Sequence, residues 1–189
     1  MQPFIFLIGP RGSGKTTVGG LLATQLHFAF LDTDDLIVKH VGTGIADIVA
    51  SGGWDAFRAY EKEALRSLSR HYGGGGVVVA TGGGIVVAPE NRAALRQLGL
   101  VFFLSAPVDA LCERLLRPGG NHERPPLTVD MTALGHIEPH ERMHAEVRRV
   151  SIERDAFYRE TAHHVIDATR PAEEIAEELE QYILHQGYL

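Results

Sequence analysis

Phe4-Ile5-Phe6-Leu7-Ile8-Gly9-Pro10-Arg11-Gly12-Ser13-Gly14-Lys15-Thr16-Thr17-Val18 reads as a buried strand, a glycine-rich turn and the opening of a helix. Within it, Gly9 to Thr16 fit G-x-x-x-x-G-K-[ST], the phosphate-binding P-loop pattern, and the strand before and helix after are the context that pattern requires. The glycines let successive backbone N–H groups turn inward toward phosphate oxygens, and the helix N-terminus adds the positive end of its dipole. Lys15 would reach the β- and γ-phosphates, and the Thr16 hydroxyl would ligate Mg²⁺.

Outward from this stretch, strand-like and helix-like segments alternate, the pattern of an α/β protein with a parallel sheet. A helix is predicted over about 15–26, a short strand over Phe28-Ala29-Phe30-Leu31-Asp32, and helices near 34–41, 44–51 and 54–71. Gly73-Gly74-Gly75-Gly76 reads as a flexible connector. Val77-Val78-Val79-Ala80-Thr81 is continuously apolar and β-branched, as a strand buried on both faces should be. A helix from Pro89 to about 98 precedes the strand Leu100-Val101-Phe102-Phe103-Leu104, and Pro107 opens another helix. Residues 117–130 hold Pro118, Gly119, Gly120, Pro125 and Pro126 and read as a mobile lid. A long helix over 139–160, a strand at His164-Val165-Ile166-Asp167 and a helix from near Pro171 complete the chain. With 189 residues and no internal repeat or linker, a single domain over 1–189 is expected.

A net charge of −6 argues against a nucleic-acid partner, which needs a basic face, yet leaves room for a local arginine-lined cleft. The one cysteine, Cys112, excludes an internal disulfide and falls where core packing is its role. No apolar run approaches the length of a membrane span, and the first apolar run ends in the P-loop and so is a strand, not a signal peptide. A cytoplasmic monomer, with no membrane partner, is expected.

Several side chains can carry chemistry. Asp32 and Asp34 are two apart, so on an extended strand end they face one side, at the strand terminus where open α/β sheets bind ligands. One can hold Mg²⁺ while the other takes a proton from a substrate hydroxyl; the bland alternative is a helix cap, a role we assign to Asp35. Arg58 and Glu61 are an i,i+3 pair on a helix, either a held guanidinium or a solvated surface ion pair. Arg124, in Glu123-Arg124-Pro125-Pro126, can close onto transferring phosphates or simply face solvent. Arg154 can point into the cleft or be an ordinary helix-face arginine. His140-Glu141-Arg142-Met143-His144 fits the zinc-hydrolase pattern H-E-x-x-H, but no third ligand is identifiable in a chain holding ten histidines, and we set zinc chemistry aside.

Taken together, these residues resemble the shikimate kinase family over nearly the whole chain. The matching blocks are Leu7 to Thr17, Asp32-Thr33-Asp34, Ile45-Ala46-Asp47-Ile48 with Phe57-Arg58 and Glu61, Thr81-Gly82-Gly83-Gly84, Arg124-Pro125, and Glu153-Arg154-Asp155-Ala156-Phe157-Tyr158-Arg159. The resemblance implies transfer of the γ-phosphate of ATP to the 3-hydroxyl of shikimate, on the way to chorismate and the aromatic amino acids. It implies a P-loop kinase fold, with a five-stranded parallel sheet in the order 2-3-1-4-5. It assigns ATP to Gly12, Ser13, Gly14, Lys15, Thr16 and Thr17, with Arg124 from the lid and Arg170 against the adenine. Shikimate falls to Asp34, Arg58, Gly83 and Arg154, and Mg²⁺ to Thr16 and Asp32; Lys15, Asp34 and Arg124 are the implied catalytic groups. Residues 118–150 are longer and richer in His and Pro than the family's usual form. The competing readings are a related kinase of a gluconate-like acid or of a nucleoside monophosphate, and a nucleotide switch. The switch should carry a guanine-reading N-K-x-D element, which this sequence lacks.

Overall fold

A computed structural model describes residues 4–71, 75–117 and 138–188. The elements follow in the order β1 (Phe4–Ile8), α1 (Lys15–Leu26), β2 (Ala29–Asp32), α2 (Thr33–Val41), α3 (Ile45–His71) and β3 (Val77–Ala80). A 3-10 turn (Ile85–Val87) then leads to α4 (Pro89–Leu98), β4 (Gly99–Ser105), α5 (Val108–Leu116), α6 (Pro139–Thr161), β5 (His164–Asp167) and α7 (Ala172–His185). The five strands form one parallel sheet in the order β2-β3-β1-β4-β5, as expected.

The central strand shows why this sequence makes a two-sided sheet. Successive side chains of a strand point to opposite faces, and every residue of β1 is apolar and buried. Ile5 and Leu7 join Val78, Phe102 and Leu104 under α1 and α7. Phe4, Phe6 and Ile8 join Val77, Val79 and Phe103 under Leu65 and Leu68 of α3, Leu95 of α4 and Tyr158 of α6. Because β3 and β4 flank β1 on opposite sides, the connections diverge at its carboxyl end, the point where such sheets hold ligands. No helix among the described residues is long and apolar enough to cross a membrane.

Three local expectations need correction. Asp35 does not cap α2; Asp32 does, its carboxylate accepting the Asp34 N–H at 2.9 Å. The helix starts one residue earlier than the hydropathy pattern suggests, so Asp34 sits in its first turn, not beside Asp32 on an extended strand. Of the connector expected over Gly73-Gly74-Gly75-Gly76, Gly73 and Gly74 lie outside the described residues, while Gly76 is a packed position: a Cβ there would collide with the Phe28 ring, and its carbonyl accepts the Ala29 N–H at 3.1 Å. The two helices predicted over 44–51 and 54–71 are the two arms of α3, which bends at Gly53 (φ 71°, ψ 179°), a backbone conformation that glycine adopts freely. Cys112 is buried beside Leu111, Leu115 and Val147, as its setting implied.

Candidate active site

The turn between β1 and α1 is a P-loop in geometry as well as sequence. Gly14 caps α1 in the left-handed region at φ 91°, which leaves the first N–H groups of the helix facing the cleft. Lys15 is buried and folds back over the loop, its Nζ donating to the Gly9 carbonyl at 2.9 Å, the Pro10 carbonyl at 2.8 Å and the Ser13 hydroxyl at 3.3 Å. Thr16 donates its hydroxyl to Asp32 Oδ2 at 3.0 Å, so a hydroxyl and a carboxylate meet where the strand and the P-loop helix converge.

A cleft of about 950 Å³ opens over these residues and is lined by Gly12 to Val18, Asp32, Asp34 and Gly83. Arg114, Arg117, Ala168, Arg170 and Pro171 also line it. Arg114 was not singled out from the sequence. From α5 it donates to the Ala168 carbonyl at 2.6 Å and reaches the Gly12 carbonyl at 3.5 Å, tying the P-loop to the segment after β5. That segment is shaped by Asp167, which accepts both the N–H and the hydroxyl of Thr169; these bonds hold its carboxyl below the usual carboxylate range. Arg170 does line the cleft, but its guanidinium also pairs with Glu178 of α7.

A second, smaller cavity lies against the first. Asp34, Arg58, Glu61, Gly82 to Gly84 and Arg154 supply its polar lining, and Ile45, Trp54, Phe57 and Val150 its apolar wall. The structure therefore brings Asp34, Arg58, Gly83 and Arg154 together from four separate segments. Arg58 donates to Glu61 Oε2 at 2.6 Å and lies 5.5 Å from the centre of the Trp54 ring. Glu61 has no exposed surface, so this is a held guanidinium and not a solvated surface pair. Burial pushes the Glu61 carboxyl up to about 7 even though the Arg58 charge opposes it. Glu61 Oε1 accepts no hydrogen bond among the described residues. A Cβ on Gly82 would meet Asp34 Oδ1 at 2.5 Å and Glu61 Oε1 at 3.1 Å, and one on Gly84 would collide with the Arg58 guanidinium. The loop after β3 is glycine-rich because charged groups pack directly on its backbone. Arg154 donates to the Gly83 carbonyl at 3.1 Å, and the Tyr158 hydroxyl donates to the same oxygen.

Arg11, Asp34 and Gly83 line both cavities. A group bound on the P-loop and a molecule in the smaller cavity would meet at these three residues. Arg124 and the rest of the expected lid over 118–130 lie outside the described residues, so only Arg117 of that segment is placed. His144 of the H-E-x-x-H stretch pairs with Asp109 of α5 at 2.8 Å. Among the described residues, no three His, Cys, Asp or Glu side chains cluster as a metal site would require.

Comparison with known proteins points the same way. The sequence model of the family described as Shikimate kinase matches residues 11–184. The shikimate kinase of Oleidesulfovibrio alaskensis is 44% identical over 186 residues, covering 97% of this chain and 98% of its own. Shikimate kinase 2 of an Enterobacter species (strain 638) is 43% identical over 174 residues, covering 92% of this chain and 91% of its own. The solved structure of the Acinetobacter baumannii shikimate kinase in complex with shikimate superposes with a TM-score of 0.83 at 34% identity, over 98% of this chain and 95% of that one. Two cavities that meet at Asp34, with this degree of likeness along the whole chain, leave one conclusion: the chain belongs to the shikimate kinase family.

Proposed function

We propose that this kinase divides the ATP-dependent phosphorylation of shikimate between its two cavities, with Asp34 at their junction. The observation that carries the assignment is the sharing of Arg11, Asp34 and Gly83 by both linings. ATP takes the larger cleft, with its phosphates on Gly12 to Thr17 and its adenine toward Arg114, Arg170 and Pro171. Triphosphate oxygens would draw the Lys15 ammonium from the loop carbonyls it now contacts. Arg124 keeps the phosphate-binding role that the family resemblance implies.

Shikimate takes the smaller cavity. Its carboxylate would sit between Arg58 and Arg154, planar forks suited to paired hydrogen bonds. Its ring would lie on the Trp54 and Phe57 wall, near the Gly83 backbone. The 3-hydroxyl would face Asp34, which accepts its proton as the oxygen attacks the γ-phosphorus and the bond to the β-phosphate oxygen breaks, releasing ADP. Thr16 and Asp32 offer two hard oxygens 3.0 Å apart, a donor set that fits Mg²⁺. When bound there, the ion neutralises charge on the phosphate oxygens. A cytoplasmic monomer is the working form of this reading, and reliance on ATP fits that setting.

A coupled ADP-release assay with shikimate, gluconate and nucleoside monophosphates tests the reading. Shikimate should be the acceptor that turns over. Asp34→Asn should lower kcat by at least ~10²-fold while nucleotide still binds, because the amide cannot take the hydroxyl proton. Calorimetry showing lost nucleotide affinity with intact shikimate affinity would move Asp34 out of the acceptor site.

A further inference from the structure

We propose that Tyr158 is a positioning residue for the acceptor: by sharing the Gly83 carbonyl with Arg154, its hydroxyl fixes where Arg154 presents its remaining N–H groups. The inference rests on the reading above that Arg154 binds the acceptor's carboxylate.

The two arginines of the smaller cavity are held in different ways. Arg58 has a buried carboxylate, Glu61, at 2.6 Å. Arg154 has no carboxylate within ion-pair distance among the described residues; its neighbours Arg149 and Arg159 take Glu153 and Asp155 instead. Its hydrogen bond in the cavity goes to a neutral backbone oxygen, Gly83 O at 3.1 Å. A neutral anchor positions a guanidinium only as well as the anchor itself is positioned.

Tyr158 supplies that constraint. It lies four residues after Arg154 on α6, hence on the same face. Its side chain is 1% exposed, and its ring stacks on Phe103 of β4 at 4.9 Å between centroids and 21° between planes. A ring held this way places its hydroxyl at one point, where it donates to Gly83 O. A carbonyl oxygen accepts two hydrogen bonds, so Tyr158 and Arg154 together satisfy it. Burial pushes the phenol up to about 12, which keeps it a donor throughout the neutral range. Gly83 in turn packs on the P-loop: a Cβ there would lie 3.3 Å from Gly9 O and 3.4 Å from the Arg11 nitrogen. The clamp therefore ties the arginine to the backbone on which the donor phosphates sit.

Tyr158→Phe removes the hydroxyl and keeps the stacked ring. The KM for shikimate should rise about 3- to 10-fold, the range expected for one hydrogen bond. The KM for ATP should stay within about twofold and kcat should fall no more than about threefold. Trp54 is the one tryptophan of the chain and walls the acceptor cavity, so a fluorescence titration with shikimate reads the same weakening without turnover. An analogue lacking the carboxylate should not respond to the substitution. A lowered melting temperature with an unchanged shikimate KM would reduce Tyr158 to a packing residue and overturn the proposal, as would an equal loss for the analogue. Arg154→Lys separates the two readings. If it leaves shikimate KM unchanged, the carboxylate assignment fails. If it raises KM while Tyr158→Phe does not, only the positioning role fails. Should Tyr158→Phe not fold, Phe103→Leu keeps the hydroxyl and loosens the ring. It should raise shikimate KM in the same direction, by less, with ATP unaffected; an unchanged shikimate KM would sink the clamp.

Discussion

Glu61 is a carboxylate with no exposed surface in a cavity that Asp34, Arg58 and Arg154 also line. Its proton is held up to about 7, against an ordinary 4.5, chiefly by burial. The folded state therefore binds more protons than the unfolded chain between those two values, and stability falls as pH rises through that window. The contribution is complete below about 4.5, is lost by the time pH passes about 7, and is flat above. Glu61→Gln removes the titration, so urea-unfolding curves from pH 5 to 8 should show wild type losing stability relative to the variant by on the order of 3 kcal/mol. Parallel pH profiles for the two proteins would mean that Glu61 is ionised throughout. What the sequence disclosed at this scale was local chemistry. Lys15 and Thr16 were readable because a motif fixes their neighbours, whereas Asp32 was read from its phase with Asp34 on an extended strand, which the early start of α2 replaces. Glu61 was paired with Arg58 by its i,i+3 spacing, and only its burial was hidden; Arg114 and Tyr158 owe their roles to carbonyls far along the chain, which no spacing rule reports.

At the scale of elements, hydrophobic periodicity separated the two arms of α3 but said nothing of the angle between them. That angle is set by Gly53 at φ 71°, which leads straight into Trp54, Phe57 and Arg58. An alanine at such a φ is strained, so Gly53→Ala should cost about 1 kcal/mol or more. It should also raise the KM for shikimate while leaving that for ATP near wild type, since the P-loop lies on a different strand–helix pair. Thermal unfolding together with both KM values checks this. A lower melting temperature with neither KM moved would make the bend a matter of stability alone. Boundaries were the weak part of the sequence reading. A one-residue shift in the start of α2 moved the cap from Asp35 to Asp32, because a cap is defined by which N–H its side chain reaches.

For the whole molecule, the sheet order decides which distant residues can act as one. The alternation of strands and helices indicated a parallel sheet, and the family resemblance implied its order. Only the folded chain shows Arg58 on α3 and Arg154 on α6 lining the same cavity as Asp34. If both hold one carboxylate, Arg58→Lys and Arg154→Lys should each weaken shikimate use by roughly 10- to 100-fold, the size expected of a charged hydrogen bond. Lysine keeps the charge but cannot offer two parallel N–H groups, so the loss is one of geometry. In Arg58→Lys the ammonium can still meet Glu61, whereas in Arg154→Lys the single head must choose between Gly83 O and the substrate. The double variant should lose less than the product of the single effects, because the second substitution removes a bond the first has already weakened. The KM for ATP should move little in any of the three, and a substrate analogue without the carboxylate should be a poor acceptor for wild type and nearly indifferent to either change. If the variants instead lose ATP affinity and treat that analogue as they treat shikimate, the two arginines belong to the nucleotide, and the smaller cavity is not where the acceptor's carboxylate binds.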